Sequence, residues 1–148
     1  MNLAQFLVKA KKATYASGKK PKLLEDGFEE FTYEEGKYKY RDRYRAVDPK
    51  PFGGEEVVWH NSKAVWMMNY YAYGISEDMD SGAVYGFLRE AMTRLTEDKP
   101  FRGPPRFKKE DFEYINKVSG QVHKFKGTEI IKFKKKEIYR LEYHGGAL

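Results

Sequence analysis

Cysteine is missing from all 148 residues. Its absence excludes disulfides, thiolate nucleophiles and cysteine-ligated zinc, and it fits a reducing compartment. No apolar run approaches the roughly 20 residues that a membrane-spanning helix needs. The N-terminus lacks a signal-peptide pattern, because Gln5 and Lys9 interrupt its apolar residues. A cytoplasmic location is therefore expected. Histidine is scarce: His60, His123 and His144 stand far apart, and none has a metal-ligand neighbour at short spacing. A glycine-rich phosphate or dinucleotide turn, an HExxH helix and a nucleophile elbow are all lacking. Neither a metal nor a cofactor is expected.

What is present is a globular composition. Hydrophobic residues make up 41% and charged residues 34%, enough to build one core in a chain of single-domain length, so residues 1–148 read as one α+β domain. Aromatic content is high at 16%, with 12 Tyr and 10 Phe. Tyrosine carries an apolar ring and a polar tip, so it suits half-buried surfaces and wet pockets better than dry cores. The net charge of +6 is a weak pointer to polyanions, because the acidic residues are spread along the chain.

Residues 2–16 read as an amphipathic helix capped by Asn2, with Leu3, Phe6, Leu7 and Ala10 on one stripe. Lys9, Lys11 and Lys12 suit the negative end of its dipole, and Ser17-Gly18 stops it. Residues 19–30 read as a loop. A strand from Phe31 turns at Glu35-Gly36 into one from Lys37 that alternates cleanly. Tyr38, Tyr40, Asp42 and Tyr44 share one face, and Lys39, Arg41, Arg43 and Arg45 share the other. Asp48-Pro49 through Gly53-Gly54 reads as a connection. Glu56 to His60 and Lys63 to Tyr73 read as strands around an Asn61-Ser62 turn. The second is apolar on both faces, which predicts a central strand covered on both sides. Ser81 caps a second helix to about Leu95, stopped by Lys99-Pro100, and Phe101 to Pro105 form a rigid loop. The last third reads as a meander, with turns at Ser119-Gly120, Gly127 and Lys135-Lys136. For Phe112 to Val118 a helical spacing competes, and the strand reading is preferred. The expected architecture is α+β: a twisted antiparallel sheet of about six or seven strands with two amphipathic helices packed on it.

The sharpest functional signal is a polar residue on an apolar face. Asp42 falls among Tyr38, Tyr40 and Tyr44; Asn69 falls among Val65, Met67, Tyr71 and Tyr73. A buried carboxylate or amide costs a few kcal/mol unless it is hydrogen-bonded. Two readings satisfy that demand: a structural polar network, or the floor of a ligand pocket. In the pocket, Asp42 orients a donor group and Asn69 donates and accepts. Tyr40, Tyr71 and Trp66 stack on a planar ligand, and Arg43 adds a charge. Both positions 42 and 69 must then point inward. Glu55 and Glu56 are adjacent acids, but neighbours on a strand point to opposite faces; the preferred reading is one exposed acid and one partner for Arg41 or Arg43. The row Lys39, Arg41, Arg43, Arg45 and the cluster Lys132, Lys134, Lys135, Lys136 are candidate nucleic-acid surfaces, with a solvated, salt-bridged face as the preferred reading.

Several stretches carry a family resemblance: Tyr33-Glu34-Glu35-Gly36 through Tyr38 to Tyr44, Gly54-Glu55-Glu56-Val57-Val58-Trp59, Trp66-Met67-Met68-Asn69-Tyr70-Tyr71, Phe101-Arg102-Gly103-Pro104 and Tyr139 to Gly146. Together they resemble an uncharacterised bacterial and archaeal domain family, found alone or C-terminal to XRE-type helix-turn-helix regulators. That resemblance implies ligand sensing linked to transcription, although this chain shows no upstream DNA-binding helices. The favoured expectation is a small-molecule binding or sensing module. The alternatives are a protein- or nucleic-acid-interaction module using the basic strands, and an enzyme with Asp42 or Glu55 as acid or base. Oligomeric state is left open.

Overall fold

A computed structural model describes residues 1–47 and 51–148. The Asp48-Pro49 part of the expected connection lies outside the described residues. Helix α1 spans Leu3–Ala13, a short 3-10 turn follows at Tyr15–Ser17, and helix α2 spans Ser81–Met92. The strands are β1 Lys22–Leu23, β2 Glu29–Glu35, β3 Tyr38–Ala46, β4 Phe52–His60, β5 Lys63–Ile75, β6 Arg106–Lys109, β7 Phe112–Gln121, β8 Lys124–Phe133 and β9 Lys136–Ala147. Among the described residues all nine join one antiparallel sheet in the order β1-β2-β3-β4-β5-β9-β8-β7-β6. The sheet is thus larger than the six or seven strands expected. The additions are the short edge strands β1 and β6, whose few residues give alternation little to show.

Two meanders build this sheet, and β5 joins β9 where they meet, with Tyr70 opposite Tyr143. Tight turns set the register. Asn61-Ser62 joins β4 to β5 with φ of 49° and 64°, and Lys134-Lys135 joins β8 to β9 with φ of 48° and 69°. Positive φ at both central residues matches the twist of the flanking strands.

Both helices lie on one face of the sheet. In α1, the Asn2 side chain accepts from the Gln5 backbone at 2.9 Å and the Gln5 side chain accepts from the Asn2 backbone at 3.0 Å, a reciprocal cap that fixes the helix start. Phe6, Leu7 and Ala10 then bury fully, and so does Lys11, one helical turn beyond Leu7. The facing side chains of the sheet include Tyr40, Val58, Trp66, Met68, Tyr114 and Leu141, which join Val84, Leu88 and Ala91 of α2 in one core. Helix α2 buries Val84, Phe87, Leu88, Ala91 and Met92; its N-cap is Asp80 and not the expected Ser81, and it ends at Met92, ahead of the expected Leu95.

Four local expectations change. Gly53 and Gly54 belong to β4, where a Cβ on Gly54 would lie 2.6 Å from Cβ of Tyr44 and 2.7 Å from the hydroxyl of Tyr70. The glycine makes room for two tyrosines. Gly127 is not a turn but lies inside β8, where the Tyr143 ring crosses it. The chain turns at Val122-His123, and not at Ser119-Gly120, which lie within β7. Finally, β5 is central in the sheet but covered on one side only: Tyr71 and Tyr73 are 48% and 55% exposed. Antiparallel sheets commonly leave one face to water, and apolar content on both faces misled the reading.

Candidate functional site

Between the helices and the inner face of β2 to β5 lies a cavity of about 220 Å³. Its floor is formed by Tyr40, Asp42, Glu56, Tyr70 and Arg102, with Lys11 reaching down from α1. Leu88, Arg89 and Met92 of α2 form its roof, beside Tyr15 and Tyr85. The half-buried residues Glu29, Tyr44, Phe52, Tyr85 and Arg89 form the rim where it reaches solvent.

Sheet register explains the floor. Asp42 of β3 lies directly opposite Glu56 of β4, and both are buried, at 6% and 2% exposure. Like charges facing each other across two strands destabilise a sheet unless something compensates. For Glu56 the compensation is Lys11, whose Nζ sits 2.7 Å from Oε2, with both side chains at or below 3% exposure. That oxygen has an ion pair but no well-directed hydrogen bond. Lys11 Nζ also donates to the carbonyl of Phe101 and lies 5.8 Å from the Trp66 ring centre. Burial holds the lysine below its ordinary range, against the pull of Glu56. Asp42 has a weaker partner: the Tyr70 hydroxyl donates to Oδ1 at 2.6 Å. Burial pushes the Asp42 carboxyl up to about 7, and the neighbouring Glu56 charge adds to this, while Tyr70, Arg102 and Lys11 oppose it. An acid held near neutrality in a cavity can donate or accept a proton at physiological pH.

Behind the floor, Glu129 of β8 is fully buried and receives four donors. Arg102 donates from Nε and Nη2, each at 2.9 Å; Tyr114 and Tyr139 donate at 2.5 and 2.8 Å. Such a bidentate, fully hydrogen-bonded pair is the arrangement in which a buried ion pair is tolerated. The loop that carries Arg102 is itself anchored: Gly103 donates to the Tyr114 hydroxyl at 2.9 Å, and its carbonyl accepts from Asn116 at 2.9 Å. Arg102 is therefore held rigidly, with its guanidinium 5.7 Å from the Tyr70 ring centre. Burial also raises the tyrosines, Tyr15 to about 12 and Tyr40 and Tyr70 well above their ordinary value, so they stay neutral hydrogen-bonding groups.

Over residues 42–148 the chain matches the family described as a domain of unknown function, DUF5680. The chain belongs to this family. Comparison with curated proteins and with solved structures gave no match. The DUF5680 match spans Asp42, Glu56, Tyr70, Arg89, Arg102 and Glu129, whereas Lys11, Tyr15, Glu29 and Tyr40 precede it.

Of the six residues proposed from sequence, Tyr40 and Asp42 line the cavity. Trp66 is buried on the same face but outside the lining: its ring stacks on Phe125 at 5.6 Å and its Nε1 donates to the Val122 carbonyl at 3.0 Å. Arg43, Asn69 and Tyr71 lie on the opposite, outer face. Arg43 pairs there with Asp26 and sits 4.6 Å from the Phe28 ring centre. Asn69 is exposed, as is Tyr71, whose ring meets Tyr73 edge-on at 5.2 Å. The expectation that Asn69 points inward is thus corrected: Trp66, Met68 and Tyr70 take the inner face of β5, and alternation sends 69 outward. Glu55 is also outward and ion-paired to Arg41 at 3.1 Å, as expected of one of the two acids, but the other, Glu56, is not exposed as expected: it turns inward and is buried. The basic row is outer and partly neutralised, by Glu34 on Lys39, Glu55 on Arg41 and Asp26 on Arg43.

Sequence reading missed Lys11, Glu56, Tyr70, Arg89 and Arg102. Two had a visible signal. Leu3, Leu7 and Lys11 repeat at four-residue spacing, which puts the lysine on the buried stripe. Glu56 alternates with Val58 on the inner face of β4.

Proposed function

We propose that this domain binds a small organic molecule in the cavity beneath the two helices. One observation carries the reading: Asp42 and Glu56 face each other across two strands in a space that apolar side chains could have filled. Buried ion pairs rarely improve on well-packed hydrophobic residues for stability, so charged groups around a void point to recognition. A thermal-shift screen of small metabolites tests the reading, because a ligand that binds only the native state must raise the melting temperature. A hit is expected to vanish in Leu88→Trp, which fills the space from α2. Hits unaffected by that change would overturn the assignment to the cavity.

The resemblance to domains found with XRE-type helix-turn-helix regulators extends the proposal to ligand sensing tied to transcription. A cytoplasmic setting suits both that role and a chain without cysteine. A second reading draws support from Asp42 alone. Its carboxyl titrates near 7 beside a second acid, which suits general acid–base chemistry, whereas Glu55 lies on the outer face away from the cavity. Turnover of a cavity ligand, lost in Asp42→Asn with binding retained, would favour that reading. Interaction through the basic outer strands is the weaker alternative, because Arg41 and Arg43 already have carboxylate partners.

A further inference from the structure

We propose that the ligand is a small organic carboxylate, gripped by Arg89 at the rim, with its body reaching inward to Asp42 and Tyr70. The inference rests on reading the cavity as a binding site and adds the chemistry of its occupant.

Three cations line the cavity: Lys11, Arg89 and Arg102. Lys11 is matched by Glu56 at 2.7 Å, and Arg102 by Glu129 at 2.9 Å. Arg89 has no carboxylate partner among the described residues, and its Nε is buried without an acceptor. The neighbouring acids among the described residues do not supply one. Glu90 is taken by Lys109 at 2.9 Å and by Arg94 at 3.8 Å, and Glu29 shares the rim without an ion pair to Arg89. A buried N–H left without an acceptor costs free energy that an incoming anion would recover. The guanidinium lies 5.7 Å from the Tyr15 ring centre, within reach of a cation–π contact. A planar fork of donors suits a carboxylate better than a point charge would.

The rest of the lining suits an uncharged body. Phe52, Leu88 and Met92 give apolar contact, and Tyr15 and Tyr85 present rings. At the far end Asp42 stays protonated up to about neutral pH, so it offers a donor and not a counter-charge for an amine. Tyr70, already donating to Asp42, completes a hydrogen-bonding end for a ligand hydroxyl or carbonyl. Size fits the same class: a 150 Å³ cavity holds benzene, so about 220 Å³ takes roughly nine or ten non-hydrogen atoms.

The probes are benzoate, para-hydroxybenzoate, neutral benzamide and cationic benzylammonium, titrated calorimetrically into the full chain near neutral pH. Both carboxylates are expected to bind at least tenfold more tightly than benzamide or benzylammonium. Arg89→Gln should remove that preference, and Arg89→Lys should restore part of it. Arg89 is half-buried on α2, so neither change empties the core. Benzamide or benzylammonium binding as tightly as benzoate would overturn the inference, as would benzoate binding unchanged by Arg89→Gln. If only the uncharged or cationic probes bind, and Leu88→Trp abolishes that binding, the carboxylate assignment fails while the cavity reading stands. If no probe of any charge binds, both fail.

Discussion

Replacing Asp42 by asparagine should stabilise this protein above neutral pH and do much less below it. The side chain keeps its shape and an oxygen to accept from Tyr70, which donates to Oδ1 at 2.6 Å. What it loses is the charge. With a folded-state value of about 7 against the ordinary 3.8, ionising Asp42 in place costs on the order of 4 kcal/mol once pH exceeds both. The sign follows from proton counting. Between those two values the native state holds a proton that the unfolded chain has released, so stability falls as pH rises across that window and levels off above about 7. From about pH 5 to about pH 8 the parent chain should therefore lose roughly 3 kcal/mol through this group, and Asp42→Asn should not. For a domain of this size that is about 10 °C in melting temperature. Urea denaturation of both proteins at the two pH values, with the slope checked for constancy, reads the difference directly. Parallel pH profiles would refute the reasoning, because they would mean that Asp42 ionises in the fold as easily as in the unfolded chain.

Further substitutions have defined outcomes. Glu56→Gln leaves the Lys11 ammonium buried without its counter-charge and should cost about 3–5 kcal/mol in urea denaturation, whereas the double change Lys11→Met with Glu56→Leu should cost much less. Gly127→Ala drives a methyl into the Tyr143 ring and should lower stability by about 1–3 kcal/mol through overpacking. Asn69→Ala and Tyr71→Ala, both on the outer face, should change stability by no more than about 0.5 kcal/mol each and leave ligand binding by calorimetry unaltered.

The fold was legible where alternation was strong. Tyr38, Tyr40, Asp42 and Tyr44 against Lys39, Arg41, Arg43 and Arg45 gave β3 and its phase correctly, because one face is buried and the other wet. The Asn2 cap and the α1 stripe were equally clear. Strand β5 was harder: Trp66 and Met68 alternate with Met67 and Tyr71, so composition could not say which face meets the helices. The site was legible only in part, because it depends on pairing across strands. Asp42 faces Glu56 through β3–β4 register, and Lys11 meets Glu56 through the docking of α1, neither of which is written in local spacing. Glycine misled in the opposite direction. Gly53, Gly54 and Gly127 read as breaks, yet they sit inside strands where neighbouring tyrosines take the space of a side chain.

Crystals of the chain soaked near neutral pH in mixtures of small aromatic carboxylates and amides show directly what the cavity holds. A fragment is expected under α2, with polar groups within hydrogen-bonding distance of Arg89 at one end and of Asp42 or Tyr70 at the other. Leu88 and Met92 collapsed onto the Asp42–Glu56 pair, with fragments bound only elsewhere, would contradict it.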